Sequence, residues 1–473
     1  MSPFCPAYPK PVRGRLSRLA MFFRARHSWI DSLSERAYRM QMGELHLPGL
    51  DLYMLNQPEL VRQVLVERPE DFPKAELLAE SLRPLLGDSI FTTNGAAWRR
   101  QRAMMDPAFA HARLDVAFPR MRDAARAMQE RLAQLPDGAE LDVEVEMTHV
   151  TADIIFRTIF SRPMEGEDAA RVFRAFARYQ ALAPRLMLPA LFGLRWLAWP
   201  WLRRASRRAA TEIRELLRAM LEPRWRAHLA GEPPIAQDIL QSFMEARDPA
   251  DGSGFGFDEL VDQVAMLFLA GHETSASALT WAAWLLANSP EVQERASAEA
   301  LAVLADQEPT PTATRRLALI WNVFRETLRL FPPVGFFVRE ATSACPMRDK
   351  TVPAGASVVV APWLIQRHRA LWRDPDAFDP DRYADDGAKE SLRQAWLPFG
   401  MGQRVCLGAA FAQQEGALIL ATLLRGWRLE PVPGHIPQPV GRLTIRSANG
   451  VRLRLYRLGG AEVAGMARSH SGS

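Results

Sequence analysis

One helical signal constrains this chain more than any other. Residues 258–288, DELVDQVAMLFLAGHETSASALTWAAWLLAN, read as a single long helix, with Asp258 as the N-cap candidate and Asn288-Ser289-Pro290 as its stop. Ser289 and Pro290 then stand where the N-cap and first residue of a following helix belong. The apolar run 264–270 is broken by Gly271, Glu273, Thr274 and Ser275, and polar groups buried in mid-helix are costly unless satisfied. Hydroxyls bonding back to the carbonyl four residues earlier would satisfy them; a functional site is the other reading. Around this helix, the segments 57–67, 96–110, 116–133, 146–160, 167–182, 203–230 and 235–246 also carry helical periodicity. Strand signals are short: 45–55, 335–343, 356–362, and 441–455 with a hairpin turn at Asn449-Gly450. The expectation is a mainly α fold, one large helical domain with small β-sheets. Residues 363–396 read as a long coil, which inside a compact domain is usually either functional or wrongly assigned.

Composition narrows the function classes. Hydrophobic residues make up 48% and charged residues 24%, the profile of a globular protein able to bury a cofactor. Net charge is +5, and its basic side is almost all arginine, with Lys10, Lys74, Lys350 and Lys389 the only lysines. No dense basic run with interleaved aromatics points to nucleic acid. Cys5, Cys345 and Cys406 form neither a CxxC pair nor a disulfide framework, which fits a reducing compartment, the cytoplasm. The first 44 residues read as a basic, amphipathic segment, and residues 459–473 as a disordered tail. The longest apolar tract, 186–202, contains Arg195, Pro189, Gly193 and Pro200. A central arginine costs roughly 2.5–3.5 kcal/mol on insertion, so the tract is expected to be an apolar lid with at most peripheral membrane contact.

Residues 397–412, LPFGMGQRVCLGAAFA, hold the chemistry. Gly400 and Gly402 strip side chains from a loop, Gly408 keeps the next helix close, and Cys406 stands before a helix whose N-terminus favours a thiolate. An inert buried cysteine is the plain alternative. The pattern F-x-x-G-x-R-x-C-x-G would arise by chance in roughly one in ten thousand such chains. It resembles the cysteine-ligand loop of the cytochrome P450 family. That resemblance implies haem b, held between the long distal helix and the helix after the cysteine, with Cys406 as axial iron ligand. It also implies that Phe399 packs near the sulfur and Arg404 meets a haem propionate. The long helix is similar to the family's A-G-x-[DE]-T segment: Ala270 and Gly271 over the haem, Gly271 opening space for dioxygen, Glu273 and Thr274 delivering protons. Ser275 could partly substitute for Thr274, and His272 would be orienting or structural.

Other stretches extend the likeness over about 45–455, taken as a haem-thiolate domain spanning 45–458. ETLRLFPP (326–333) and FDPDRY (378–383) resemble the segments that make a buried structural triad, here Glu326, Arg329 and Arg382. Asp381 and Tyr383 depart from the more usual Glu and Phe. Trp98 and Arg102 in WRRQR, and Arg339 in FFVREAT, match further propionate donors. By family position Leu77, Leu78, Phe91, Phe268, Phe336, Phe337 and Leu443 would line an apolar pocket for a fatty acid, terpenoid, steroid or polycyclic. The implied activity is monooxygenation: one oxygen atom from O2 enters a hydrophobic organic substrate, by hydroxylation or epoxidation. The chain ends soon after its last strands, so separate redox partners are expected, a ferredoxin with its reductase or a flavodoxin. A monomer is expected. The alternatives are a peroxide-dependent peroxygenase, a haem-thiolate isomerase or dehydratase, and, outside enzymes, a haem-based sensor or electron carrier; the Glu273-Thr274 pair argues against them.

Overall fold

The computed structural model describes residues 3–13, 24, 28–47, 50–165, 167, 171–180, 182, 200–305, 307–384 and 386–459. Its longer helices are α1 Glu76–Leu86, α2 Gly95–Met105, α3 His111–Leu132, α4 Val143–Phe160, α5 Pro200–Leu229, α6 Phe257–Ala287, α7 Pro290–Leu304, α8 Ala318–Leu330 and α9 Ala409–Gly426. The strands are β1 Met42–Leu47, β2 Leu50–Leu55, β3 Ala139–Asp142, β4 Phe337–Glu340, β5 Cys345–Met347, β6 Lys350–Val352, β7 Ser357–Val360, β8 Trp427–Pro431, β9 Pro439–Gly441, β10 Ile445–Ser447 and β11 Arg452–Arg457. They form a four-stranded sheet in the order β1-β2-β7-β4, a three-stranded sheet β3-β11-β8, and the pairs β9-β10 and β5-β6. β2 and β7 are parallel, and every other pairing is antiparallel.

The long helix is the axis of the core. Apolar residues surround α6 on all sides, as a helix packed on every face requires. Trp281 stacks on Phe331 with ring centroids 4.2 Å apart, joining α6 to the end of α8. Its N-cap lies two residues before the Asp258 that the sequence suggests: Gly256 is the N-cap, and Glu259 Oε2 accepts from the Gly256 N–H at 2.9 Å. Asp258 lies in the first turn, where a negative charge favours the helix dipole. Ser289 and Pro290 do begin α7, although the Ser289 hydroxyl makes no capping bond.

Two expectations are corrected. The 441–455 stretch is not one hairpin: β10 pairs with β9, and β11 pairs with β3 and β8. Asn449 Oδ1 accepts from the Gln438 N–H at 2.9 Å, and the Ile445 carbonyl accepts from Ser277 and Trp281 of α6. Those bonds tie β10 to the helical body, so the chain leaves Gly450 into a different sheet. The 363–396 coil contains a short helix Lys389–Ala395 and tight turns whose carbonyls bind arginines. The boundary at residue 44 falls inside β1, and Phe4 packs edge-on against Trp284 at 5.5 Å. Most of the apolar tract 186–202, and the tail beyond residue 459, lie outside the described residues. Among the described residues no helix is long and apolar enough to cross a membrane.

Candidate functional site

Along the otherwise buried middle of α6, Ala270, Gly271 and Thr274 keep accessible surface. Their spacing of one and four residues puts them on one helix face, so that face borders an interior space. Ala270 and Leu407, the residue after Cys406, pack against the same apolar cluster, which brings the α6 stripe and the cysteine loop together. The Thr274 hydroxyl donates to the Ala270 carbonyl at 2.7 Å. A Cβ on Gly271 would sit 2.9 Å from Ile155 Cδ1, so this glycine also admits α4.

The loop geometry follows from its glycines. Gly402 has φ +73°, and a Cβ there would lie 2.2 Å from the Leu65 carbonyl oxygen; only glycine fits both constraints. Gly400 also has positive φ, with the Phe337 ring 3.6 Å from its Cβ position. Gly408 behaves differently from the sequence expectation: nothing lies within 4 Å of an added Cβ, so it faces open space rather than a close neighbour. Cys406 keeps accessible surface. Burial nevertheless pushes its thiol up, against the pull of the Gly408 N–H and of Arg102. Its own N–H donates to the Phe399 carbonyl at 2.9 Å, and Phe399 packs against Trp396 at 6.0 Å.

Cations gather beside this loop. Burial lowers Arg339 to about 10, with Arg404 adding repulsion. Burial lowers Lys74 to about 6, again with Arg404 and Arg339 opposing its charge. Arg404 reaches the Phe72 carbonyl at 2.9 Å and lies 5.4 Å over the Trp98 ring, while its Nε has no partner among the described residues. Lys74 donates to the Ile90 carbonyl at 2.6 Å, and Arg339 to the Val338 carbonyl at 3.1 Å. Among the described residues none of the three forms an ion pair with a carboxylate. Three desolvated basic side chains with no carboxylate ion pair among the described residues, a cysteine on an interior space and a glycine beside open space fit a flat cofactor bearing carboxylates. Arg102 stands apart from them. It bonds Asp106 at 2.6 Å and the Val405 carbonyl at 2.7 Å, tying α2 to the loop.

Glu273 and Arg446 form a second network. Arg446 Nη2 donates to Glu273 Oε2 at 2.6 Å and its Nε to Oε1 at 3.0 Å, while Thr444 donates to Oε1 at 2.6 Å. Burial alone would raise the Glu273 carboxyl, but the guanidinium overrides it and holds the group below the usual carboxylate range. Arg446 also reaches Glu144 at 2.7 Å. On the far face, His272 contacts the Phe268 carbonyl and lies 3.0 Å from Gln180, a structural setting.

The Glu326 cluster is assembled and buried. Arg329 donates to both Glu326 oxygens at 2.8 Å, and Arg382 Nε to Oε1 at 2.9 Å. Tyr383, where the resemblance favours phenylalanine, donates its hydroxyl to Glu326 Oε2 at 3.2 Å. Asp381 pairs instead with Arg295 at 2.7 Å.

The seven apolar pocket candidates do not form one wall. Leu78 and Phe336 pack around Ala75, Val338 and Val359, and Leu443 packs against the cluster that holds Ala270. Leu77 is part-buried and Phe91 is 48% exposed. Phe268 is fully buried, its ring tilted against that of Phe176 with centroids 4.6 Å apart. Phe337 points at Gly400 of the loop. Sequence reasoning missed Lys74, Thr444, Arg446 and Glu415. Lysine rarity was the one hint for Lys74; the others lie far from any motif partner in sequence.

Comparisons with known proteins bear on the family and the fold. A family model described as Cytochrome P450 matches residues 5–449. Cyclooctatin synthase of Streptomyces melanosporofaciens is 34% identical over 412 residues, covering 85% of this chain and 86% of that protein. Cyclooctat-9-en-7-ol 5-monooxygenase of the same organism is 33% identical, covering 83% of each. Pentalenene oxygenase of Streptomyces avermitilis is 32% identical, covering 91% and 94%. The solved cytochrome P450DA heme domain superposes with a TM-score of 0.79 over 89% of this chain and 91% of that one, at 24% identity, a likeness of fold.

Proposed function

The chain belongs to the cytochrome P450 family and is a monooxygenase, and we propose that it oxidises a polycyclic terpenoid, inserting one oxygen atom into a C–H or C=C bond. The relatives' names, which include pentalenene oxygenase and cyclooctat-9-en-7-ol 5-monooxygenase, support the substrate class. Haem b is the proposed cofactor, and Cys406 is the residue that would ligate its iron. The observation that carries this is the pairing of Cys406 and the open space beside Gly408 with the desolvated basic side chains Lys74, Arg339 and Arg404, which form no carboxylate ion pair among the described residues.

In this reading Lys74, Arg339 and Arg404 hold the two propionates, and Trp98 supports the Arg404 guanidinium from below. Arg102 fixes the loop through the Val405 carbonyl. When bound, haem supplies the dioxygen chemistry, and a thiolate ligand favours O–O cleavage. The chain's own work is orientation and proton control. Ala270 and Gly271 leave room above the cofactor, and Thr274 offers the one hydroxyl on that stripe, able to accept a hydrogen bond and donate another. Leu78, Phe336 and Leu443 supply apolar surface. Electrons come from separate proteins, a ferredoxin with its reductase or a flavodoxin.

The ferrous–CO complex tests the assignment. Its strongly red-shifted Soret band should vanish in Cys406→Ser and persist in Cys5→Ser and Cys345→Ser. A band retained without Cys406 would refute the ligand assignment. Titration with pentalenene-like hydrocarbons should shift the iron from low to high spin, whereas fatty acids should not.

A further inference from the structure

Arg367 is a buried charge that the chain leaves unmatched. It lies just beyond the short helix Pro362–Ile365 and is 0% exposed, and none of its three guanidinium nitrogens has a hydrogen-bond partner among the described residues. Rings enclose it instead. Its guanidinium carbon lies 3.8 Å from the Trp363 ring centroid, 5.2 Å from that of Tyr8 and 5.4 Å from that of Phe331. Burial pushes the group down to about 10, with Arg329 adding repulsion, so at neutral pH it stays charged.

The neighbouring carboxylates are already taken. Arg329 and Arg382 share Glu326, at 2.8 and 2.9 Å. Asp376 meets Arg369 at 2.5 Å and accepts the Tyr8 hydroxyl at 3.0 Å. Tyr38, beside Arg367, adds a further donor: its hydroxyl accepts from Trp363 Nε1 at 2.9 Å, and among the described residues nothing accepts its own proton. Aromatic faces attract a cation, yet they offer no lone pair to the N–H groups that fan out in the guanidinium plane. A buried ion is offset only by counter-charge and full hydrogen bonding. Water brings donors as well as acceptors, whereas an anion brings acceptors and the missing charge together.

We propose that Arg367, with Tyr38 beside it, holds a small monovalent anion, chloride, and that the N-terminal segment seals the site through Tyr8. Arg369 fastens the seal by reaching both Asp376 and the Tyr8 hydroxyl, the latter at 3.2 Å. The Phe4 carbonyl adds a second tie, accepting from the Phe378 N–H at 2.8 Å. The site is independent of the monooxygenase reading. A merely structural role makes a different forecast. If the ring cage alone satisfies Arg367, methionine in its place should change stability equally in every salt.

The test uses the full chain with its cofactor, in two arms. Crystals grown in sodium bromide should show an anomalous bromine peak within hydrogen-bonding distance of the Arg367 guanidinium. In solution, the melting temperature should rise with sodium chloride and level off, as one-site linkage requires, while sodium gluconate at equal ionic strength, which screens charge alike, should not reproduce the rise. Arg367→Met should lose this difference between the salts. Tyr8→Ala keeps the guanidinium but opens the seal, and should need about tenfold more chloride for the same rise, since water then screens the pair. No bromine peak at Arg367, bromine only on the outer surface, or the same chloride response in the parent and in Arg367→Met would each overturn the proposal. Should Arg367→Met fail to fold, the bromide map of the parent chain decides by itself.

Discussion

At the scale of single residues, the site is governed by which polar groups have partners. The Thr274 hydroxyl is satisfied within the helix by the Ala270 carbonyl at 2.7 Å, and the residue keeps accessible surface. Alanine is a good helix former and should preserve the fold and the cofactor. Thr274→Ala is therefore expected to consume NAD(P)H at a comparable rate while releasing less product and more hydrogen peroxide, measured by product and peroxide assays on one sample. Lys74 offers a test on the cofactor-free protein. Its amine is depressed to about 6 in the folded chain, against 10.5 for the ordinary group. Between those values the unfolded chain binds a proton that the folded one lacks, so stability rises with pH across that window. Thermal midpoints of cofactor-stripped protein should show this rise, and Lys74→Met should flatten it while weakening haem retention.

Among the elements, the loop before α9 separates stability from occupancy. Alanine at Gly402 would bring a Cβ to 2.2 Å from the Leu65 carbonyl oxygen at a φ of +73°. Left-handed backbone at a non-glycine residue costs about 1–3 kcal/mol, so Gly402→Ala should lower the melting temperature with or without cofactor. Gly408 has φ −89° and open space beside it. Gly408→Ala should melt like the parent when cofactor-free and lose only haem affinity, followed by haem transfer to an acceptor protein. Equal effects of the two substitutions on cofactor-free stability would contradict the cradle. How legible these elements were depended on their chemistry. The loop could be read because its glycines and cysteine are contiguous. The β10 and β11 assignment could not, since contacts of Ile445 with Ser277 and Trp281 decide it.

The whole molecule is tied by the buried Glu326 cluster, which joins α8 to the chain around 366–383. Arg329 bonds the carbonyls of Gln366, Pro375 and Ala377 as well as Glu326, and Arg382 bonds that of Arg373. Removing one partner of such a set costs about 3–5 kcal/mol, because the remaining charges stay buried. Burial would raise the Glu326 carboxyl, but Arg329 and then Arg382 hold it below the ordinary range. A depressed carboxyl stabilises the fold above its unfolded value and loses that contribution as pH falls through its folded value. Glu326→Gln should therefore lower stability at neutral pH and reduce the loss on acidification, seen in denaturant unfolding between pH 3 and pH 7 (roughly the span of carboxylate titration).

The sequence by itself determined the features that depend on neighbours along the chain. They are the long helix and its stop at Asn288-Ser289-Pro290, the glycine-bounded loop of Cys406, and the spacing of Glu326 and Arg329 on one helix face. Such features follow from local backbone chemistry and helical period, which adjacent residues carry in full. Only the tertiary structure decided which face of α6 is open, since packing against α4 and the 171–180 helix buries Phe268 and His272 and leaves Ala270, Gly271 and Thr274 accessible. It also decided charge. Glu273 and Glu415 are the same residue type in the same interior, yet Arg446, distant in sequence, keeps the first ionised, while the second meets only Ser275. Desolvation and counter-charge act through space, so a glutamate's protonation state is fixed where the chain brings its partners together.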